Sequence, residues 1–343
     1  MKILIIGYFG YSSNQLDGQT IKTRNIYEAL SSEHTVDYFD TEAIKTNKLQ
    51  ILNLLKKITQ HDKVFFVGGK NNLKYFFPVL YSLSKIQKKK IVYVVVGGWL
   101  YDFLCSTPAL YTIMLKSIRS VLVETKFLKD KLEELGFKNV NTIPNFRLTP
   151  DYKPSTVKFD SDTLKIVFMA RIMKAKGIYL LFDLLDDYLK YDQSYVKKLK
   201  IDFYGPISSD DKNKFEQLIQ TFSPHASYKG LLQPDQIYFK LPEYDLLILP
   251  TFYEGEGFPG TILDAYLSGI PVITTKWKQI PEFVKDGETG FLIDYDLTAL
   301  KNKIKILCEN EQLLSDMKNH AFSYSNEFSS DTGIKILNQA MDI

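Results

Sequence analysis

A chain of 343 residues is longer than one hydrophobic core usually supports, so its length favours two domains. The composition, 45% hydrophobic and 24% charged, is typical of a globular protein, and no apolar run approaches the roughly 18 residues that a membrane span needs. The short apolar run after Lys2 does not resemble a signal peptide, and Cys105 and Cys308 form neither a disulfide framework nor a metal-ligand spacing. We therefore expect a cytoplasmic protein.

The net charge of +3 is unevenly distributed along the chain. Residues 1–150 carry 21 Lys/Arg and 12 Asp/Glu, a net charge of +9, whereas residues 151–343 carry 22 and 28, a net charge of −6. A solvated helix face explains any single lysine, but contact of the first half with an anionic membrane or a phosphorylated acceptor is an equal alternative. Nucleic acid is not an expected partner, because no recognition motif is present. Much of the basic excess lies in Lys85, Lys88, Lys89 and Lys90.

Short apolar runs alternate with helical patterns in the first half, which is typical of parallel βαβ units. A helix is predicted over residues 21–30, and apolar residues recur at helical spacing from 49 to 58 and from 76 to 83. The predicted strands are residues 2–6, 63–67, 91–96 and 120–123.

Three prolines interrupt this alternation, and we interpret residues 145–162 as a linker between two domains. The alternation then resumes, which predicts two doubly wound α/β domains that face each other across a cleft. Strands are predicted at 164–169, 200–204, 246–249 and 271–274, and helices at 178–191, 210–221, 261–267, 297–309 and about 322–343.

The most informative segment is residues 254–273, EGEGFPGTILDAYLSGIPVI. Glu256 lies in a Gly/Pro turn that leads into the predicted helix, and Asp264 lies about one turn inside that helix. A helix N-terminus offers free backbone N–H groups to a phosphate, and a carboxylate accepts protons from neighbouring sugar hydroxyls. A nucleotide-sugar contains both parts, so the segment predicts a nucleotide-sugar site.

Two cations follow the strand that ends near residue 169. Arg171 and Lys176 stand between that strand and the next helix, where they could neutralise a diphosphate, although a solvated loop is an equally simple interpretation. A dehydrogenase-type dinucleotide site is disfavoured, because Gly7 and Gly10 lack the third glycine of that fingerprint.

With these residues in hand, the chain resembles the family 4 retaining glycosyltransferases, which have the GT-B fold. The resemblance covers about 120 residues of the second half and extends only loosely into the first. It implies an acceptor-binding domain over 1–150, onto which the helix at 322–343 packs, and a donor-binding domain over 151–321. The matching segments are Arg171 with residues 176–177, then 205–206, 256–265, 269–273 and 280–292.

The resemblance also implies roles for individual residues. Arg171 and Lys176 are expected to hold the donor diphosphate, and Glu256 to contact the hydroxyls of the donor sugar. Asp264 takes the place where relatives hold the ribose, usually with Glu, so the shorter side chain predicts a longer or water-bridged contact. Glu254 is interpreted as a loop charge. The rest of the expected donor site consists of Gly18, Gly205, Gly257, Phe258, Pro259, Gly260 and Thr261.

The first half departs further from the family. Gly18 supplies one glycine where relatives often have two, and it still permits close approach of the donor. Relatives often have a histidine after a strand like 91–96, but this chain has Gly97, Gly98 and Trp99 there, and none of its four histidines lies in an equivalent loop. We expect Gly97 and Gly98 to make room for the acceptor. Trp99 is either a stacking platform for a sugar or a packing residue.

The resulting hypothesis is a retaining glycosyltransferase that needs no metal or other cofactor. Its partners would be a nucleotide-sugar, with UDP favoured over GDP, and a saccharide or lipid-linked saccharide used in cell-surface polysaccharide synthesis, such as capsule. Peripheral contact with the inner face of the cell membrane stays open. The alternatives are a catalytically silent nucleotide-sugar-binding homologue that partners a transferase, and a nucleotide-sugar epimerase.

Overall fold

The computed structural model describes residues 2–13, 15, 17–148, 163–196 and 199–342. The chain forms two compact units, Met1–Pro150 with Phe328–Ile343, and Asp151–Glu327. Each unit contains a six-stranded sheet in which every pair of neighbouring strands is parallel. The predicted α/β class with doubly wound sheets is confirmed. Most of the predicted linker, residues 149–162, lies outside the described residues.

The sheet of the first unit has the strand order β2-β1-β3-β4-β5-β6. Its inner strands are almost wholly buried because helices cover both faces, and these are the strands that the sequence predicts. The edge strands β2 and β6 are partly exposed and polar, and the prediction missed them. The strands are β1 (Ile3–Gly7), β2 (Val36–Asp40), β3 (Lys63–Gly68), β4 (Lys90–Val95), β5 (Ser120–Val123) and β6 (Val140–Thr142).

Eight helices connect these strands within the described part of the first unit. One apolar core lies between the sheet and the helices from α3 to α8, and a second core lies on the opposite face beneath α1. The helices are α1 (Gly18–Ser31), α2 (Glu42–Thr46), α3 (Gln50–Gln60), α4 (Lys70–Tyr75), α5 (Phe77–Ile86), α6 (Leu100–Ser106), α7 (Ala109–Lys116) and α8 (Lys126–Glu134).

The sheet of the second unit has the order β12-β11-β10-β7-β8-β9. Its strands are β7 (Leu164–Met169), β8 (Leu199–Tyr204), β9 (Ala226–Tyr228), β10 (Leu246–Leu249), β11 (Val272–Thr275) and β12 (Gly290–Ile293). The helices are α9 (Ile178–Tyr191), α10 (Gln193–Val196), α11 (Lys212–Thr221), α12 (Ile237–Lys240), α13 (Gly260–Leu267), α14 (Leu297–Glu309) and α15 (Glu311–Ser325). The prediction missed the edge strands β9 and β12.

The last helix, α16 (Ser330–Met341), belongs to the first unit and packs against α1, β4 and β5. The continuous helix predicted over 322–343 is wrong in one respect. A 3-10 turn at Asn326–Phe328 separates α15 from α16, and the side chain of Ser329 caps α16 by accepting a hydrogen bond from the backbone N–H of Thr332. Among the residues that the structure describes, no helix is both long enough and apolar enough to cross a bilayer.

Candidate functional site

The strand order of the second unit identifies the edge where a ligand fits. From β7 the chain builds outward through β8 and β9, then returns to the centre and builds in the other direction through β10, β11 and β12. The order therefore reverses between the neighbouring strands β7 and β10. In open α/β sheets, ligands bind outside the carboxyl ends of the strands at such a reversal. The loops that follow β7 and β10 carry Arg171, Lys176 and Glu256, so the fold brings the predicted loops to one edge.

A glycine allows these two loops to touch. Gly177 has a φ of +82°, and a Cβ atom there would lie 2.0 Å from the carbonyl oxygen of Pro250 in the loop after β10. Only glycine accepts both the left-handed conformation and this approach. The backbone N–H of Phe252 also donates to the carbonyl of Ala175 at 2.8 Å. Lys176, between Ala175 and Gly177, is thereby placed against the second loop.

Lys176 and Glu256 form an ion pair at this edge. The Nζ atom of Lys176 lies 2.5 Å from Oε2 of Glu256, and the two side chains are 15% and 8% exposed. The hydroxyl of Thr251, two residues after β10, donates to the same Oε2 atom at 2.9 Å. Lys176 also lies over the ring of Tyr253, 4.9 Å from its centroid. Two donors and an aromatic face therefore hold the Glu256 carboxylate and the Lys176 ammonium in one position.

The sequence did not single out Thr251 or Tyr253 as site residues. Thr251 is fully buried, and its hydroxyl oxygen also accepts a hydrogen bond from the backbone N–H of Tyr253 at 3.2 Å. The sequence does show that both residues come shortly after a buried strand, in the loop that leads to Glu256. This position predicts that they lie in a loop, but it does not predict which side chains of the loop point toward the Glu256 carboxylate.

Arg171 lies two residues after β7 and is exposed. Among the described residues, no side chain or carbonyl forms a hydrogen bond or ion pair with its guanidinium group. Its loop is nevertheless fixed, because the backbone of the next residue, Ile172, pairs with Pro206 and Ser208 in the loop after β8. Gly205 makes this pairing possible: its φ is +138°, and a Cβ atom there would lie 1.9 Å from the carbonyl of Ala170. The loop is therefore held in place, while the guanidinium group of Arg171 has no hydrogen-bond or ion-pair partner among the described residues.

The start of α13 lies close to Glu256 in the same loop. Gly260 is the first residue of the helix, and no side chain caps its N-terminus. The Thr261 hydroxyl is buried without a hydrogen-bond partner in the described part of the chain. The three residues between Glu256 and Gly260 are buried, and Phe258 stacks on Phe283 with ring centroids 3.8 Å apart. The backbone N–H of Ile262 donates to the carbonyl of Pro259. The donors at this end without a partner among the described residues are therefore the N–H groups of Gly260 and Thr261 and the Thr261 hydroxyl.

Asp264 is 4% exposed and lies inside α13. Its Oδ1 atom accepts a hydrogen bond of 3.1 Å from the hydroxyl of Tyr238 on α12. The sequence analysis missed Tyr238, because nothing in the local pattern of α12 indicates a contact with a residue 26 positions away.

Contacts at the periphery hold the outer part of the loop after β10. Glu254 is exposed and pairs with Lys278, and the indole N–H of Trp277 donates to the carbonyl of Tyr253 at 2.8 Å.

Asp211 holds the loop after β7: the backbone N–H of Lys174 donates to its carboxylate at 3.0 Å, and the Tyr179 hydroxyl donates to the same carboxylate. Burial, together with this hydrogen bond, raises the pKa of Tyr179 above its ordinary value, so the phenol keeps its proton.

The candidate acceptor residues and Gly18 belong to the first unit. Gly18 is the first residue of α1, and a Cβ atom there would meet nothing within 4 Å. Gly97, with a φ of +88°, Gly98 and Trp99 follow β4 and lead into α6. The indole N–H of Trp99 donates to the carbonyl of Val96 at 2.7 Å, and its ring packs edge-to-face on Phe103. These contacts favour the packing interpretation of Trp99.

In the described ranges, no three His, Cys, Asp or Glu side chains are grouped so that they could hold a metal ion. The histidines with described hydrogen bonds make them elsewhere: His34 with Asn338, His61 with the carbonyl of Lys57, and His225 with the carbonyl of Leu199.

Comparison with known proteins identifies the family of the second unit. Residues 163–310 match the family model described as Glycosyl transferases group 1. These residues belong to that family. The match begins at β7 and includes Arg171, Lys176, Glu256 and Asp264, so it contains the whole cluster described above.

Two curated relatives and one solved structure extend the comparison. The chain is 26% identical over 265 residues to the capsular polysaccharide biosynthesis glycosyltransferase CapM of Staphylococcus aureus, which covers 75% of this chain and 62% of CapM. It is 25% identical over 212 residues to the lipopolysaccharide 1,2-N-acetylglucosaminetransferase of Salmonella typhimurium, covering 58% of this chain and 54% of the relative. The chain therefore spans less than two thirds of the length of either relative.

The solved structure is that of Anabaena HepE in complex with UDP-glucose. It superimposes with a TM-score of 0.74 at 16% identity and covers 100% of this chain and 99% of HepE. The fold is therefore GT-B, as the sequence resemblance implies.

Proposed function

We propose that the protein is a retaining glycosyltransferase. It transfers a sugar from a nucleotide-sugar, with a UDP-sugar favoured over a GDP-sugar, to a saccharide or lipid-linked saccharide in the synthesis of a cell-surface polysaccharide such as capsule. The observation that carries this proposal is the Lys176–Glu256 pair beside the uncapped start of α13, at the strand-order reversal of a glycosyl transferases group 1 domain. The similarity to CapM, a capsular polysaccharide biosynthesis glycosyltransferase, and to HepE, which binds UDP-glucose, supports the choice of reaction and donor.

Three groups are assigned to the donor diphosphate. Arg171 presents five N–H donors in a planar fork, which suits paired phosphate oxygens. Lys176 adds a point charge whose position is set by Glu256, Thr251 and Tyr253. The free N–H groups of α13, with the Thr261 hydroxyl, offer hydrogen bonds and the positive end of the helix dipole. Gly257, Phe258 and Pro259 form the approach to that helix.

Glu256 is assigned to the donor sugar. Its Oε2 atom receives both the Lys176 ammonium and the Thr251 hydroxyl, whereas no donor among the described residues reaches Oε1. The Oε1 atom is therefore available to accept a proton from a sugar hydroxyl. Because Oε2 is anchored twice, the carboxylate needs little rearrangement when the sugar binds, which is the preorganisation that lowers a reaction barrier.

The proposed chemical step occurs on one face of the sugar. The bond between the anomeric carbon and the phosphate oxygen breaks, and the acceptor oxygen bonds to the anomeric carbon from the same side. The acceptor proton passes to the departing phosphate oxygen, so configuration is retained without a protein nucleophile. Negative charge grows on the diphosphate during this step, and Arg171, Lys176 and α13 stabilise it. We propose that no metal is required.

Asp264 is assigned to the ribose hydroxyls. The side chain is one methylene shorter than the Glu that relatives usually have, and Tyr238 orients its carboxylate through the 3.1 Å hydrogen bond. We assign acceptor binding to the first unit, with Gly97 and Gly98 at the carboxyl end of β4 and Trp99 packed beside them, and donor contact to Gly18 at the start of α1. Peripheral contact with an anionic membrane would bring a lipid-linked acceptor to this unit.

Calorimetric titration of UDP, GDP and ADP in the presence of a chelator tests the proposal. We expect one nucleotide to bind, and Arg171→Ala to weaken that binding. Lys174→Ala removes an exposed cation from the same loop and is the matched control, with binding expected to be unchanged.

Two outcomes would contradict the proposal. If none of the three nucleotides binds, the assignment of a nucleotide-sugar site to the second unit is wrong. If a donor is converted to its epimer without an acceptor, the protein is an epimerase.

A further inference from the structure

One surface of the first unit is both apolar and basic. The helices α4, α5 and α7 leave five large apolar side chains exposed, with lysines among them. We call this surface the α5–α7 face, and it consists of Tyr75, Val79, Ile86, Leu110 and Ile113 with Lys74, Lys85, Lys88 and Lys116.

Contacts between the helices make these residues one continuous surface. Near the start of α7, the Tyr111 hydroxyl donates to the carbonyl of Lys74 on α4 at 3.1 Å. At the other end of α7, the hydroxyls of Tyr81 and Ser117 lie 2.8 Å apart, and Lys85 donates to the carbonyl of Ser117 at 3.3 Å. The helices α5 and α7 therefore lie side by side and run in the same direction.

The exposed residues form a stripe on each helix. Val79 and Ile86 are seven positions apart on α5, and Leu110 and Ile113 are three apart on α7, so each pair lies on one side of its helix. The exposed fractions of Ile86 and Ile113 are 79% and 60%. A monomeric soluble protein gains nothing from keeping such side chains together in water, whereas a binding surface does.

The charge of this face indicates its partner. Residues 63–101 contain seven lysines and no Asp or Glu, and α7 also contains no acidic residue. Of these seven, Lys90 pairs with Asp342, and Lys63 donates to the carbonyls at the end of α16. The four lysines of the α5–α7 face form no ion pair among the described residues, so their charges repel one another unless an anionic surface compensates them. A surface that is apolar and purely basic matches the interfacial region of an anionic bilayer, which accepts both features at once.

We propose that the α5–α7 face binds the surface of an anionic lipid bilayer, with the apolar stripes inserted between headgroups and the lysines paired with lipid phosphates. The amino-terminal ends of α5 and α7 lie toward the carboxyl edge of the sheet, since both helices run antiparallel to the strands they connect. A lipid-linked molecule leaving the bilayer at this face would reach the edge where we assign acceptor binding. The inference deepens the proposed membrane contact but does not depend on the nucleotide site.

Vesicle flotation of the whole chain tests this proposal. We expect the protein to float with vesicles of phosphatidylcholine and phosphatidylglycerol, but not with phosphatidylcholine alone, and the binding to fall as salt is added. One lysine near an anionic surface contributes about 1 kcal/mol, or about fivefold in partitioning. The triple variant Lys74→Gln, Lys85→Gln and Lys88→Gln should therefore lower partitioning by about 100-fold.

Two further variants separate the apolar contribution from charge in general. The double variant Ile86→Gln and Ile113→Gln keeps every charge and should lower partitioning about tenfold, because the inserted side chains are lost. The control Lys200→Gln, Lys212→Gln and Lys305→Gln removes three exposed lysines from the second unit and should bind vesicles as the wild type does.

Several results would overturn the proposal. They are absence of flotation with anionic vesicles, equal loss in the control, and unchanged binding of the Lys74/Lys85/Lys88 variant. Light scattering distinguishes a protein interface, because a wild-type dimer that becomes monomeric in the Ile86/Ile113 variant would show that a second copy covers this face. Calorimetric nucleotide binding should be the same in all these variants, so a failure here is distinct from a failure of the donor site.

Discussion

Replacing Glu256 with Gln separates the structural and catalytic contributions of the buried pair. The side chain keeps its shape but loses its charge, and Lys176, only 15% exposed, loses its counter-ion. Hydrogen bonds to a charged group contribute about 1.5–3 kcal/mol and neutral ones about 0.5–1.5 kcal/mol. Since Lys176 and Thr251 both donate to Oε2, the two weakened bonds should lower the stability of the second unit by about 2–3 kcal/mol.

This loss can be measured by calorimetric thermal unfolding. For a domain of this size, each kcal/mol shifts Tm by about 2–4 °C, so Glu256→Gln should unfold about 5–10 °C lower than the wild type. The control is Glu254→Gln, two residues away, where the carboxylate is 77% exposed and Tm should be unchanged. Equal Tm shifts in the two variants, or no shift in Glu256→Gln, would refute the reasoning.

The same variant tests the assignment of Glu256 to the sugar. If Oε1 contacts the donor sugar and not the diphosphate, kcat should fall by about 100-fold, and the affinity for UDP should fall much less, through the weaker hold on Lys176 alone. Calorimetry of UDP and turnover of the UDP-sugar measure the two quantities separately. Equal loss of binding and turnover would mean that Glu256 only shapes the pocket.

Three further variants test other parts of the structure. Arg171→Ala should lower kcat by about 100-fold or more with little change in Tm, and a near-normal rate would remove Arg171 from the site. Gly177→Ala should prevent normal folding of the second unit, because its Cβ atom would lie 2.0 Å from a backbone oxygen. The control is Gly230→Ala, at a φ of +79° with nothing within 4 Å of the added Cβ atom. It should lower the free energy of unfolding in urea by only about 1–2 kcal/mol. Lys22 and Glu124 form a 2.7 Å ion pair whose side chains are 4% and 5% exposed. Lys22→Met should therefore lower the free energy of unfolding by about 3–5 kcal/mol, and adding Glu124→Leu should restore most of that loss. Additive losses in the double variant would contradict this coupling.

Local chemistry made several features predictable from the sequence. The inner strands and the longer helices follow from apolar runs and helical spacing, and α9 and α14 begin and end at the predicted residues. The glycine-rich turn before α13 and the nearby acids were visible for the same reason, since turn residues and caps act over a few positions. The edge strands β2, β6 and β9 were missed because hydrogen bonds to one neighbour, and not a buried apolar run, define them. The edge strand β12 is a largely buried apolar run of only four residues and was also missed.

The contacts that make the site depend on residues far apart in the chain. Lys176 and Glu256 are 80 positions apart, and they meet because the strand order places β7 beside β10 and because Gly177 lets their loops touch. No local pattern shows that Thr251 supplies a second anchor to the same oxygen, or that Tyr238 reaches Asp264. The sequence by itself determined which residue types were available and which elements they form. The tertiary structure decided which side chains donate hydrogen bonds to the Glu256 carboxylate, because those contacts depend on strand order and on the close approach of two loops.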